Sequence, residues 1–209
     1  NKNFKKALLI YDIPLNFNKP FDVNKNSKRK YVLKSFNVAI ELSINKKING
    51  FINCPVNKKD IFKSNYGVTE FLAKKSDILG KEAMIIFNKK LSVSPITTHI
   101  KVKQVSKNLT KKIIYEKVKT INEFYKDKFG FTPKIGILGL NPHNYELRNN
   151  SEEKKIILPA IKKLQKNGIK VKGPLSGDTA FLKSKNFHIL VGMYHDQVLS
   201  PYKAIYNFN

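Results

Sequence analysis

The 209 residues, 41% of them apolar, suffice for one large domain or two small ones with a sizeable core. A single cysteine, Cys54, excludes an internal disulfide framework and fits a reducing, cytoplasmic setting. No apolar run nears the ~20 residues of a membrane helix, and the first residues lack a signal peptide's apolar length and cleavage site. The formal charge of +25 is carried by lysine spread along the whole chain, with Arg29 and Arg148 the only arginines. That distribution reads as a compositional bias, with no nucleic acid as partner. A basic nucleic-acid-binding protein stays as the remote alternative.

In chain order, Ala7–Tyr11 is a short strand candidate, and Asn16–Asn26 is loop-like. Ser27 is a plausible N-cap, after which Val32, Phe36, Ala39, Ile40 and Ile44 recur at helical spacing until Asn49-Gly50. Phe51–Val56 reads as a strand, and Asn57 caps a short helix ending near Phe62. Tyr66–Glu70 turns into a helix carrying Phe71, Leu72 and Ile78. Ala83–Phe87 and Leu91–Thr98 form a hairpin candidate around Asn88-Lys89-Lys90, although the favoured Asn-Gly is absent. Thr110 caps a helix with Ile114, Val118, Ile121 and Tyr125 on its core face, and Gly130 ends it. Strand Lys134–Leu140 follows. Ser151 then caps a helix with Glu152 and Glu153 in its first turn, Pro159 as a possible kink and Gly168 at its end. Ile169–Lys172 is a short strand, Gly173–Thr179 a loop and Phe187–Met193 an apolar strand. Alternating strands and helices make the fold class α/β with a largely parallel sheet.

Three apolar runs are each followed by histidine: Leu91–Thr98 by His99, Lys134–Leu140 by Asn141-Pro142-His143, and Phe187–Met193 by Tyr194-His195-Asp196-Gln197. In open α/β sheets, ligands bind outside the carboxyl ends of the strands. Three imidazoles at such ends suit a divalent metal with one position left for water or substrate. A hydrogen-bonded structural role remains the commoner fate of any single histidine, and His188, inside its strand, reads as a sheet-face residue. Asp196 could orient His195 or cap a helix. Asp178 could bring a carboxylate to the same rim. Lys203 could hold a phosphate or simply be solvated, and Thr69 could bind substrate or cap its helix. Cys54 reads as a small buried side chain. No dinucleotide fingerprint or P-loop is present.

Taken together, GLNPH (139–143), GPLSGDTAF (173–181) and MYHDQ (193–197) with Lys203 beyond resemble the 4-hydroxythreonine-4-phosphate dehydrogenase family of pyridoxine biosynthesis. NCPVNK (53–58), GVTEFL (67–72) and TTH (97–99) add weaker support in the same order. The resemblance implies an isopropylmalate/isocitrate dehydrogenase-like fold of two α/β domains with a cleft, and a homodimer with its active site at the interface. It implies a divalent metal (Zn, Mg or Co) on His99, His143 and His195, and NAD or NADP as oxidant. The implied reaction turns 4-(phosphooxy)-L-threonine into 3-amino-2-oxopropyl phosphate with loss of carbon dioxide. Thr69 and Lys203 would bind substrate, and Asp178 and Asp196 would serve the chemistry.

The chain departs from the family pattern in places. Val68 stands where the family has a substrate-binding His, and Asn144–Asn150 replaces a glycine-rich loop. The family's N-terminal glycine-rich segment and C-terminal part have no counterpart, so the chain reads as incomplete at both ends. The expected division is 1–65 as part of the first domain, 66–195 as the central domain, and 196–209 as the start of a return. Val68 also raises the alternative of a different phosphorylated hydroxy acid as substrate.

Overall fold

The computed structural model describes residues 8–20, 22–62 and 67–207. It separates into two compact units, Asn1–Leu79 and Gly80–Asn209. The boundary expected between 65 and 66, like Ala7 and Tyr66, lies outside the described residues. The one expected between 195 and 196 falls inside a continuous helix, His195–Tyr206.

Among its described residues the first unit is helical. Helix α1 (Lys25–Ile44) starts earlier than expected because the Asn24 side chain, not Ser27, takes the cap, accepting the Ser27 N–H at 2.8 Å. Asn and Ser are near-equal caps, and the chain uses the first. The helix stops at Ile44 with Asn45 as its C-cap, before Asn49-Gly50. Asn57 caps α2 (Lys58–Ile61) as expected, and α3 runs Val68–Lys75. Phe36 gathers Phe51, Phe62 and Phe71 at centroid distances of 6.4, 6.3 and 5.9 Å. Arg29 ties α1 to α2 by donating to the Ile61 carbonyl at 2.9 Å. The strands expected at 7–11 and 51–56 are not formed at their described residues. A strand needs a neighbour to take its N–H and C=O groups, and neither segment has a ladder partner among the described residues. Leu8, Leu9 and Ile10 are exposed, Ile44 is exposed too, and Cys54 is an exposed free thiol rather than a buried one.

The second unit holds the sheet. Strands β1 (Ser92–Thr97), β2 (Ile135–Leu138), β3 (Val171–Leu175) and β4 (Ile189–Tyr194) lie in the order β1-β4-β2-β3, all parallel. The last strand thus inserts between the first two. Side chains alternate along each strand. Ile189, Val191 and Met193 join Ile135 and Ile137 in one cluster, while Leu190 and Leu138 join another. The first cluster takes α5 (Lys111–Phe129) and α6 (Leu158–Lys166); the second takes α7 (His195–Tyr206). Between β1 and α5 lies the single turn α4 (Val105–Asn108).

Helix α5 has the expected form. Thr110 Oγ1 accepts the Ile113 N–H, Ile114, Val118, Ile121 and Tyr125 are buried, and Gly130 closes it at φ 72°, where a side chain would be strained. The expected hairpin shrinks to one antiparallel bridge, Ile86 with Val93. Its turn is closed by side chains instead, with Asn88 Oδ1 accepting the Lys90 N–H and Ser92 Oγ facing the Asn88 backbone. Ser151 Oγ accepts the Lys154 N–H. A π-turn at Glu153–Ile157 then precedes α6, so Pro159 falls in the first turn of the α-helical part, where its missing N–H costs little.

Candidate active site at the carboxyl ends of the strands

Three strand ends are fastened to one another by side chains. Between β1 and β4 the ladder runs to Thr97 and Tyr194, and Thr97 Oγ1 donates to the Met193 carbonyl at 2.7 Å in a buried setting. Two residues beyond Thr97 stands His99; directly after Tyr194 stands His195, the first residue of α7. Their rings lie 6.1 Å apart between centroids. The neighbouring carboxylate of Asp196 meets His195 Nδ1 at 2.8 Å, with Asp196 itself largely exposed.

On the other flank of β4, β2 runs into Gly139–His143. The loop is anchored by Glu153, which is fully buried. Its Oε1 accepts the N–H groups of Leu140 at 2.8 Å and Asn141 at 2.7 Å, and both its oxygens accept from Asn141 Nδ2. Glu152 accepts from Asn141 Nδ2 at 2.9 Å and from the Ser106 hydroxyl on α4. These bonds, Ser106 first, lower the Glu152 pKa. The loops following β1 and β2 are thereby joined through one carboxylate.

His143 itself opens an unusual turn. Residues 143–147 all have φ between 46° and 56°, one left-handed turn made without glycine. Left-handed backbone costs about 1–2 kcal/mol per non-glycine residue. Asn144, Tyr145, Glu146 and Leu147 therefore take up a conformation that glycine would adopt freely. Asn144 Nδ2 holds the turn down by donating to the Pro174 carbonyl at 3.1 Å.

A pocket of about 350 Å³ opens here, lined by Asn141, His143, Ser176, Asp178, Tyr194 and Gln197, among others. Asp178 is exposed, and its carboxyl is held below the usual range by the Ser176 hydroxyl first and the His143 imidazole second. The Ser176 hydroxyl reaches no partner at full hydrogen-bond geometry. It and Asn144 Oδ1 are buried polar atoms left without one among the described residues. Ser176 belongs to the wall of this cleft, where an unpaired polar atom is expected if a polar ligand binds.

The structure thus brings together His99, His195 and Asp196, and separately His143 and Asp178. Among the described residues no three His, Cys, Asp or Glu side chains form a metal-holding group, and His143 stays exposed on its own loop. Lys203 lies exposed on α7, two turns beyond His195. Thr69, in the first turn of α3, is exposed in the other unit, while Val68 beside it packs against the Phe36 cluster. His188 is, as expected, structural: its Nδ1 accepts the Lys134 N–H at 2.9 Å and its ring packs 4.9 Å from Phe131. Sequence reasoning missed the anchoring parts of Glu152 and Glu153. Two acidic residues after a serine look like ordinary first-turn carboxylates, and only the buried loop N–H groups reveal their use.

The family model for the pyridoxal phosphate biosynthetic protein PdxA matches residues 1–209. The chain belongs to the PdxA family. A 4-hydroxythreonine-4-phosphate dehydrogenase of a Sulfurihydrogenibium species is 43% identical over 94% of this chain and 61% of its own length. The Aquifex aeolicus enzyme of the same name is 40% identical over 80% of this chain and 53% of its own. This PdxA chain therefore spans 53–61% of the length of these relatives. The crystal structure of the Klebsiella pneumoniae 4-hydroxythreonine-4-phosphate dehydrogenase superposes with a TM-score of 0.79 at 28% identity, covering 87% of this chain and 57% of that one. A terephthalate 1,2-cis-dihydrodiol dehydrogenase from Burkholderia xenovorans, 21% identical with a TM-score of 0.76, shares the fold. The fold is the isopropylmalate/isocitrate dehydrogenase-like one that PdxA proteins have. Among the described residues no helix is long and apolar enough to cross a membrane.

Proposed function

We propose that the full-length protein is an NAD- or NADP-dependent dehydrogenase. It would oxidise 4-(phosphooxy)-L-threonine, with decarboxylation, to 3-amino-2-oxopropyl phosphate on the route to pyridoxal phosphate. One observation carries the reading: His99, His195 and His143 follow the carboxyl ends of three adjacent strands, β1, β4 and β2, inside the motifs of the family.

The donor set suits a divalent metal such as Zn, Mg or Co, since neutral imidazoles are its common ligands. His99 and His195 already face one another, and His143 would complete the set. A divalent ion held there supplies Lewis-acid polarisation of the substrate's secondary hydroxyl. Because His195 gives Nδ1 to Asp196, its Nε2 is the nitrogen left for a ligand. Asp178, ionised through the working pH range, serves as a hydrogen-bond acceptor and as a counter-charge for a substrate amino group. Lys203 and Thr69 are assigned to the substrate, Lys203 to its phosphate as a point charge. Two histidines meet within one chain and the third stands apart. That supports a homodimer in which a second copy completes the site. The lone exposed thiol of Cys54 fits a reducing cytoplasm. Lysine scattered over the chain favours small anionic substrates over nucleic acid.

The test is turnover by the full-length protein of 4-(phosphooxy)-L-threonine with NAD and with NADP. Reduced cofactor and carbon dioxide in equal amounts are expected, and neither appearing would end the proposal. A second reading keeps the fold and changes the substrate. Val68 places an apolar, core-packed side chain where the family has an imidazole donor. A relative from Oceanobacillus iheyensis, 35% identical over 80% of this chain, is provisionally named a D-threonate 4-phosphate dehydrogenase. A higher kcat/KM for D-threonate 4-phosphate than for 4-(phosphooxy)-L-threonine, measured side by side, would select the second reading.

A further inference from the structure

Strands β2 and β4 pair in register only up to Ile137 and Val191. Beyond that point one side chain continues the ladder. Gln197 Oε1 accepts the Met193 N–H at 2.7 Å, and Gln197 Nε2 donates to the Gly139 carbonyl at 2.7 Å. A primary amide carries the same donor and acceptor as a peptide group. It therefore adds a rung between two backbones that have parted. The rung is tightly set. Gly139 is also held from its far side, its N–H bonded to the Leu175 carbonyl of β3 at 2.9 Å. On β4, a Cβ at Gly192 would stand 2.9 Å from Gln197 Oε1 and 2.6 Å from Val198 Cγ1 of α7. Glycine there lets the first turn of α7 sit directly on the sheet.

We propose that Gln197 is a positioning residue: its amide fixes the spacing between the end of β2, which leads to His143, and the end of β4, which leads to His195. The inference rests on the metal-site reading above. It adds that the separation of the two ligand-bearing loops within each chain, whether they serve one site or the two sites of a dimer, is set by an amide whose hydrogen bonds go to Met193 and Gly139 and not to either imidazole. A merely structural role predicts a loss of stability alone; a positioning role predicts a loss of metal affinity beyond it.

The experiment uses the metal-free full-length protein as wild type, Gln197→Glu and Gln197→Met, titrated with cobalt(II) and followed by amide exchange at Met193. Glu keeps an acceptor for Met193 but sets a carboxylate against the Gly139 carbonyl, while Met removes both bonds at similar length. Cobalt binding should weaken about 10- to 100-fold in both variants, the size expected when a ligand's supporting contact is lost. Met193 should stay protected in Gln197→Glu and exchange faster in Gln197→Met. Wild-type cobalt affinity in either folded variant would overturn the proposal. Should Gln197→Met not fold, Gln197→Glu decides alone. A wild-type protein that takes up no cobalt would overturn the metal reading itself, before any substitution is compared, and the proposal with it.

Discussion

Replacing Glu153 offers a demanding test of how the His143 loop is held. The carboxylate is fully buried and accepts two backbone N–H groups, from Leu140 and Asn141, together with the Asn141 side-chain amide. Glu153→Ala strands both backbone donors. An unsatisfied buried donor costs about 1–3 kcal/mol, and charge-assisted bonds lie at the upper end. The sum is a destabilisation of about 4 kcal/mol, or a fall in Tm of about 15 °C for a unit of this size. Glu153→Gln keeps one oxygen for the backbone donors but turns an NH2 toward Asn141 Nδ2, so about 1–2 kcal/mol is expected. Urea unfolding of the full-length protein measures the totals, and amide exchange at Leu140 and Asn141 locates them. A loss in Glu153→Ala within about 0.5 kcal/mol of wild type, the range of an ordinary surface change, would refute the anchoring argument.

Other outcomes follow from the same geometry. Burial first, and the Lys134 charge second, hold the His188 pKa below its ordinary 6.5. Its contribution is therefore complete above that value and is lost as pH falls through the lower folded one. His188→Asn should flatten the decline in Tm on acidification below 6.5, and an unchanged decline would count against it. At Glu146, φ 50°, Gly relieves about 1–2 kcal/mol of left-handed strain against roughly 0.5–1 kcal/mol of chain entropy. Glu146→Gly should thus raise stability by about 0.5–1 kcal/mol in urea unfolding. If a second copy completes the metal site, equimolar His143→Ala and His195→Ala proteins, each unable to bind cobalt, should recover about a quarter of the sites after subunit exchange in a two-fold dimer. No recovery would confine the site to one chain.

What could be read from the residues alone follows how local the controlling physics is. Helix α5 was legible in full because Thr110, the four-residue apolar stripe and Gly130 are all decided within one element. The cores of β2 and β4 were legible as apolar runs, since a strand covered on both faces has no polar positions. That His99, His143 and His195 each come after the carboxyl end of a strand was legible, because each closely follows an apolar run. The strand order was not legible, because insertion of β4 between β1 and β2 depends on packing across the whole unit. Nor were the strands expected at 7–11 and 51–56, where β-forming side chains lack a ladder partner among the described residues. The anchors escaped for the same reason. Nothing near Glu153 or Gln197 in sequence shows that one is buried under a loop 12 residues earlier and the other completes a ladder with Gly139, 58 residues away.

The central claim is that His99, His143 and His195 hold one metal. X-ray absorption at the zinc edge of the loaded full-length protein tests it most directly. Three imidazole nitrogens at about 2.0–2.1 Å are expected, with the metal lost on His195→Ala. A zinc environment without imidazole, or undiminished metal content in His195→Ala, would contradict it.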